Sequence, residues 1–176
     1  MFFRNTLRKK ALKHAAQQRS VSFTSFPMAA KVAFCFSYNE DGIEQSVLSF
    51  IEFLRNNNIS FSGIGTAVGK TKKQIIHLDE NISIIRKFDC NFYGLPAHHK
   101  TSKLFVNSFD IFVDFNCQES FLQEYIALKT QSVFKIGRIV TEHTPYDLVL
   151  EQGEGGGSSS AYLNQLFHYM DKIKPA

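Results

Sequence analysis

The sequence predicts a single α/β domain, a three-layer sandwich whose mostly parallel sheet of roughly five or six strands carries helices on both faces, with a basic helix preceding it. Short apolar runs typical of buried strands alternate along the chain with amphipathic helical patterns. One strand–helix–strand unit, between residues 110 and 136, is clear enough to require a parallel strand pair with a right-handed crossover.

Length and composition fit one globular domain. The chain has 176 residues, of which 44% are hydrophobic and 20% charged. No apolar run approaches the length of about 18 residues that a transmembrane helix needs. The three cysteines lie far apart, without a C-x-x-C pair, which argues against a disulfide framework or a structural zinc site. We therefore expect a reducing, cytoplasmic setting.

Charge is distributed unevenly along the chain. Residues 1–39 contain seven Lys or Arg and no Asp or Glu, whereas the remainder is net negative by three. This asymmetry indicates a basic interaction arm on an acidic body. We accordingly divide the chain into a helical arm with its linker, residues 1–30, and a single α/β domain, residues 31–176. The arm has only a narrow apolar stripe and needs something to pack on.

The first half of the domain begins with a clear strand–helix–strand pattern. The continuous apolar run Val32–Phe36 predicts a strand buried on both faces. Asp41 followed by Glu44 three residues later has the pattern of a capping box, and the helix that it starts should end near Asn56–Asn58. Residues Ile59–Ile64 then alternate as in a second strand.

The middle of the chain is less regular. Short strands are predicted over Gln74–Leu78, Ile82–Ile85 and Cys90–Tyr93, the last followed by a turn at Gly94–Pro96. His98–Ser102 is interpreted as a loop. The pairing of these segments in the sheet is left open by the sequence.

The second half contains the clearest unit. Asp110–Phe115 is a strand, Asn116 is the predicted N-cap of a helix with Glu119 at its third position, and Ser132–Ile136 is the next strand. Tyr146–Leu150 is the last strand. The chain ends in a helix whose apolar face comprises Leu163, Leu166, Phe167, Met170 and Ile173.

Several of these segments together resemble a family of short uncharacterised bacterial α/β proteins, a domain of unknown function. The resemblance rests on Phe109–Asn116, Leu122–Leu128, Phe134–Arg138, the basic N-terminal helix, the Tyr93–Pro96 turn and the Tyr146–Val149 strand. It covers nearly the whole chain. Because that family has no assigned activity, the resemblance implies a fold and no catalytic residues.

Residues 109–138 are also similar to the N-terminal half of heptosyltransferase-type glycosyltransferases, where an apolar strand ending near an Asp, a helix, and a strand closing on Gly-Arg occur in series. The second nucleotide-sugar domain of those enzymes has no room in 176 residues. This second resemblance therefore implies architecture only.

Three candidate chemical motifs fail on spacing or environment. Gly65–Thr71 lacks the four-residue spacing of a P-loop, since the required glycine position is occupied by Ile64, and we interpret it as a solvated loop. His98 and His99 have no further ligand at helical spacing. Cys117, at a predicted helix start, is the one thiol whose pKa could be lowered, although a buried structural cysteine is the better interpretation. We predict no catalytic motif, metal centre or cofactor.

Any ligand should bind at the carboxyl ends of the strands, because open parallel sheets bind ligands there. The residues predicted at that edge are Asn39, Asp41, Asn116, Glu119, Glu142 and His143. The alternative is that they are only helix caps and loop residues. The whole hypothesis depends on the runs near Val32 and Ile111 being parallel neighbours in the sheet.

We rank first a non-enzymatic accessory or interaction protein whose basic helix lies on a protein partner or on the anionic inner face of a membrane. The alternative is a small nucleotide- or sugar-phosphate-binding protein, glycosyltransferase-like, that uses the carboxyl edge. Packing of the arm on its own domain, or on a second copy in a homo-oligomer, is equally open. Nucleic acid ranks last because the body is net negative.

Overall fold

One parallel sheet forms the centre of the protein in a computed structural model, which describes residues 2–16, 18–69, 75–140, 143–150 and 157–173. The described strands are β1 (Lys31–Ser37), β2 (Ser60–Ala67), β3 (Ile82–Arg86), β4 (Ser108–Asp114), β5 (Gln131–Gly137) and β6 (Leu148–Val149). Their order is β3-β2-β1-β4-β5-β6, and every neighbouring pair is parallel. The predicted fold class is confirmed.

Helices cover both faces of this sheet. The described helices are α1 (Phe2–Ala15), α2 (Ile43–Asn56), α3 (His98–Phe105), α4 (Phe121–Lys129) and α5 (Ser159–Lys172). Helices α2 and α5 share one hydrophobic core with the sheet, while α3 and α4 share the other. Helix α1 packs on the outside of α4. None of the described helices has both the length and the apolar character that crossing a bilayer requires.

Burial on both faces of β1 explains why the run Val32–Phe36 is apolar at every position. Phe34 and Phe36 face the core under α2 and α5, whereas Ala33 and Cys35 face the core under α3 and α4, and all four are fully buried. A strand covered on both faces has no solvent side on which polar residues could alternate. Strand β1 pairs with β4 in parallel, as the sequence predicts.

The N-terminal segment packs on the domain at several points. Leu12 and Ala15 are buried in a small cluster with Leu128 of α4. In the linker, Phe26 is buried and lies edge-to-face against Phe50 and Phe53 of α2. Packing of the arm on its own domain, one of the two alternatives, is therefore what the structure contains.

Two predicted helix starts are wrong. Helix α2 begins at Ile43 with Gly42 as its N-cap, in the left-handed region at φ 73°, so Asp41 is not the N-cap that the sequence predicts. Helix α4 begins at Phe121 with Ser120 as its N-cap, four residues later than predicted. Asn116 does not cap it, and its side chain instead bonds to Asp114, Gln123 and Cys35.

Several short elements also differ from prediction. Within Gln74–Leu78, residues 75–78 form no strand, and Cys90–Tyr93 contributes only an isolated antiparallel bridge from Cys90 to Pro96. The predicted loop at His98 is the start of α3, whose Thr101 and Leu104 are buried. The last strand shortens to two residues. The interpretation of Gly65–Ala67 as loop is wrong, because β2 extends through it.

Candidate functional site

The sheet reverses its winding direction between its two central strands. From β1 the chain proceeds through β2 to β3 on one side, and from β4 through β5 to β6 on the other. Loops that leave neighbouring strands in opposite directions open a crevice at the carboxyl edge, and ligands of open α/β sheets bind in such crevices.

A cleft of about 300 Å³ lies at this point. We call it the central cleft; it is lined by Ser37, Asn39, Glu40, Thr66, Val68, Gly69, Asn116, Cys117, Gln118, Glu119, Ser120, Leu122 and Gln123. Most of these side chains are polar, and they include four amides and two carboxylates. Such a lining can both donate and accept hydrogen bonds. Recognition of hydroxyl groups or of the edges of a heterocycle is the chemistry that it supports.

Three buried side chains form the floor of the central cleft. Gln123 of α4 donates through Nε2 to Asn116 Oδ1 at 2.5 Å and to Thr66 Oγ1 at 3.2 Å. Thr66 in turn donates to the carbonyl of Phe36 at 3.2 Å. The floor therefore ties together β1, β2, the loop after β4 and α4, and its polar atoms are held in fixed positions.

Asp114 lies behind this floor, fully buried at the end of β4. Its carboxylate accepts hydrogen bonds from Tyr146 Oη at 2.5 Å, from the backbone amide of Asn116 at 2.9 Å and from the Asn116 side chain. Burial raises the pKa of Asp114, while these donors act in the opposite direction. Burial and the carboxylate together raise the pKa values of Tyr146 and Cys35. Asp114 does not line the central cleft and serves there by positioning Asn116.

A buried ion pair connects the segment after β5 to the rest of this edge. Arg138, which follows β5, donates to Glu40 Oε1 at 2.6 Å and to the carbonyls of Phe115 and Gly157 at 2.8 and 2.9 Å. Its guanidinium also stacks 5.1 Å from the ring centroid of Tyr162. Arg138 therefore joins the loops after β1 and β4 to the segment before α5, and it fixes Glu40 against the central cleft.

The structure places three of the predicted ligand residues around the central cleft: Asn39, Asn116 and Glu119. His143 lines a neighbouring cavity along α1, to which Glu119 also contributes. Asp41, which lies before α2, is not among the residues that line either cavity. Glu142 lies outside the described residues.

Sequence reasoning missed Thr66, Gln123 and Glu40. Thr66 was hidden because strand β2 was expected to end at Ile64. Gln123 is a polar residue in the predicted helix α4, and its burial is decided by tertiary contacts. The position of Arg138 could have been recognised from the sequence. An arginine that directly follows a buried strand and its terminal glycine lies at the carboxyl edge of the sheet, where ligands bind.

The cysteines give no reactive centre at this site. Cys117 lies in the loop before α4 rather than at a helix start, and burial together with the nearby Glu40 carboxylate raises its pKa. The idea of a lowered pKa is thus wrong. Among the described residues, no cluster of three His, Cys, Asp or Glu side chains is arranged to hold a metal ion.

Comparison with known proteins gives a family and no activity. No curated protein and no solved structure matches the chain. The model of a family of unknown function, DUF6913, matches residues 4–173, a range that includes α1 from its third residue onward and every strand described above. The chain belongs to this family of unknown function.

Proposed function

We propose that the protein binds a small polar metabolite of the nucleotide or sugar-phosphate type in the central cleft. The observation that carries the proposal is the position of that cleft, at the switch point between β1 and β4. In open parallel sheets this is where ligands bind. Its volume of about 300 Å³ is at the lower end of the range for small-molecule sites.

The lining of the cleft supports this ligand class. Amides from Asn39 and Gln118 and the carboxylate of Glu119 are exposed around the cleft, above a floor of buried, mutually hydrogen-bonded side chains. A rigid polar floor loses little conformational entropy when it meets a ligand. Ribose or sugar hydroxyls, which donate and accept, match both amides and carboxylates.

An interaction module acting through a free basic helix has less support. That function would need the apolar stripe of α1 for a membrane or a partner. Leu12 and Ala15 of this stripe are already buried with Leu128 of α4. We therefore prefer a ligand-binding domain to which the arm is attached. With three free thiols, a reducing compartment such as the cytoplasm remains the expected setting.

Thermal denaturation with added nucleosides, nucleotides, sugar phosphates and nucleotide sugars tests the proposal. A ligand present at about ten times its Kd stabilises the folded state by about 1.4 kcal/mol, a rise in Tm of roughly 3–6 °C for a chain of this size. The variants Asn39→Ala and Glu119→Gln should reduce that rise, whereas Glu52→Gln on the exposed side of α2 should not. If no member of the panel raises Tm at millimolar concentration, the proposal is wrong.

A further inference from the structure

A second cavity opens beside the central cleft. It has a volume of about 470 Å³ and lies between α1 and the segment around residues 87–94. We call it the basic cavity; it is lined by Arg4, Arg8, Val68, Lys87, Cys90, Asn91, Phe92, Gly94, Ser120, Phe121 and Leu122. The two cavities share Val68, Ser120 and Leu122 in their linings, so they adjoin one another.

The charged side chains of the basic cavity are all cationic. Arg4, Arg8 and Lys87 line it, and no carboxylate does. Within the part of the chain that the structure describes, none of the ion pairs involves these three residues. The pKa of Arg8 is lowered by burial and by the like charge of Arg4. Like charges held together without a counter-ion favour the binding of an anion.

The guanidinium of Arg8 is held in place before any ligand arrives. Its Nε donates to the carbonyl of Tyr93 at 2.8 Å, and its central carbon lies 4.6 Å from the ring centroid of Phe121. Gly94 has a φ of +89°, and a Cβ at this position would lie 2.8 Å from Arg8 Nη2. The positive φ favours glycine at residue 94, and the missing Cβ leaves room for the guanidinium in its present position. An arginine fixed in this way spends little conformational entropy on recognising a phosphate.

From these contacts we infer that the basic cavity is the phosphate subsite of the ligand, with Arg4, Arg8 and Lys87 binding a phosphate or diphosphate while the uncharged part occupies the central cleft. This inference rests on the proposed function for the second half of the ligand. It assigns the acid-free N-terminal segment a role in recognition: helix α1 brings two of the three cations to the carboxyl edge of the sheet.

Two native thiols allow the cavities to be observed separately. Cys117 lines the central cleft and Cys90 lines the basic cavity, and both are half-buried. Burial raises the pKa values of both thiols, so labelling is best followed at about pH 8.5 with N-ethylmaleimide and peptide mass spectrometry. Pyrophosphate should slow the labelling of Cys90 alone. Uridine or adenosine should slow the labelling of Cys117, and the matching nucleoside diphosphate should slow both.

Variants that remove positive charge from α1 form the second part of the experiment. The double variant Arg4→Gln/Arg8→Gln keeps good helix formers and should weaken protection of Cys90 by pyrophosphate about tenfold or more, because charged hydrogen bonds to phosphate are lost. The matched control Lys10→Gln/Lys13→Gln removes the same charge from exposed positions that do not line the cavity, and it should leave protection unchanged. Circular dichroism and urea unfolding verify that each variant is folded.

The outcomes separate the subsite from the function on which it rests. If a nucleoside protects Cys117 but its diphosphate binds no more tightly, and Arg4→Gln/Arg8→Gln changes nothing, the phosphate subsite is wrong while the cleft stands. If pyrophosphate protects Cys90 and no nucleoside or sugar phosphate protects Cys117, the proposed function fails and the anion site stands. If vesicles of anionic phospholipid protect Cys90 and pyrophosphate does not, the basic surface binds membranes and the inference is overturned.

Discussion

Replacement of Arg138 by Met tests the arrangement of the carboxyl edge most directly. The guanidinium is 2% exposed, and its partner Glu40 is 11% exposed. The substitution leaves the Glu40 carboxylate nearly buried without a counter-charge, and it removes the donors to the carbonyls of Phe115 and Gly157. Breaking a buried ion pair from one side costs about 3–5 kcal/mol. We expect Arg138→Met to lower the free energy of unfolding by that amount.

Urea denaturation at neutral pH measures this loss. With an m-value of about 2 kcal/mol per M, a cost of about 4 kcal/mol lowers the midpoint by about 2 M. Lys103→Met on α3 is the control, because this exposed lysine takes part in none of the described ion pairs. Surface substitutions of this kind change the free energy of unfolding by about 0.5 kcal/mol or less. Should Arg138→Met cost no more than Lys103→Met, the buried pair does not organise this edge.

A double-mutant cycle guards against a variant that fails to fold. Glu40→Gln keeps the size of the side chain and leaves Arg138 bonded to two carbonyls, so it should cost less than Arg138→Met. The variant carrying both changes should be more stable than the sum of the single losses, by about 1–3 kcal/mol, because neither charge is then left without its partner. Additive losses would show that the two side chains are not coupled.

Three further predictions follow from other contacts. Gly137→Ala places a Cβ about 2.5 Å from the Tyr146 ring and should cost about 1–3 kcal/mol in urea unfolding; a change below about 0.5 kcal/mol would contradict the close approach. Burial lowers the pKa of Lys135 to about 7, so the unfolded state binds more protons than the folded state above that pH. The free energy of unfolding should therefore rise between about pH 7 and 9.5, by at most about 1.4 kcal/mol per pH unit. Lys135→Met should remove that slope, and an unchanged slope would show that Lys135 is not the group responsible. Cys35, fully buried with a raised pKa, should react with Ellman's reagent only after unfolding; rapid reaction in the native state would show that its core is open.

The architecture could be predicted because it follows from periodicity. The run Val32–Phe36 is apolar at every position only because both faces of β1 are covered, and that burial implies a parallel sheet between two helical layers. The unit from β4 through α4 to β5 likewise has strand and helix patterns at the lengths that a parallel crossover requires. Patterns of this kind depend on local sequence, so they can be recognised without knowledge of the tertiary contacts.

The details of the cleft depend on side-chain contacts that the local sequence pattern does not reveal. Asn116 is of a residue type that often caps helices, but its side chain bonds to Asp114, Gln123 and Cys35, and α4 starts later with Ser120 as its N-cap. Thr66 and Gln123 are 57 residues apart and meet only in the folded chain. A polar residue at a strand end is equally compatible with a cap, a loop or a ligand contact until its partners are known.

The attachment of the N-terminal segment determines what its charge can do. Arg19 donates to Asp147 at 2.6 Å and to the carbonyl of Val133 at 3.0 Å, Phe26 is buried under α2, and Leu12 packs on α4. A basic helix joined to the body at several points cannot lay its apolar stripe on a bilayer without breaking those contacts. The same contacts hold Arg8 beside the first turn of α4, where a flexible arm would place it only part of the time. Fixed cations next to a polar cleft favour a small anionic ligand over an extended charged surface. Only a small ligand of matching length can contact the basic cavity and the central cleft at the same time.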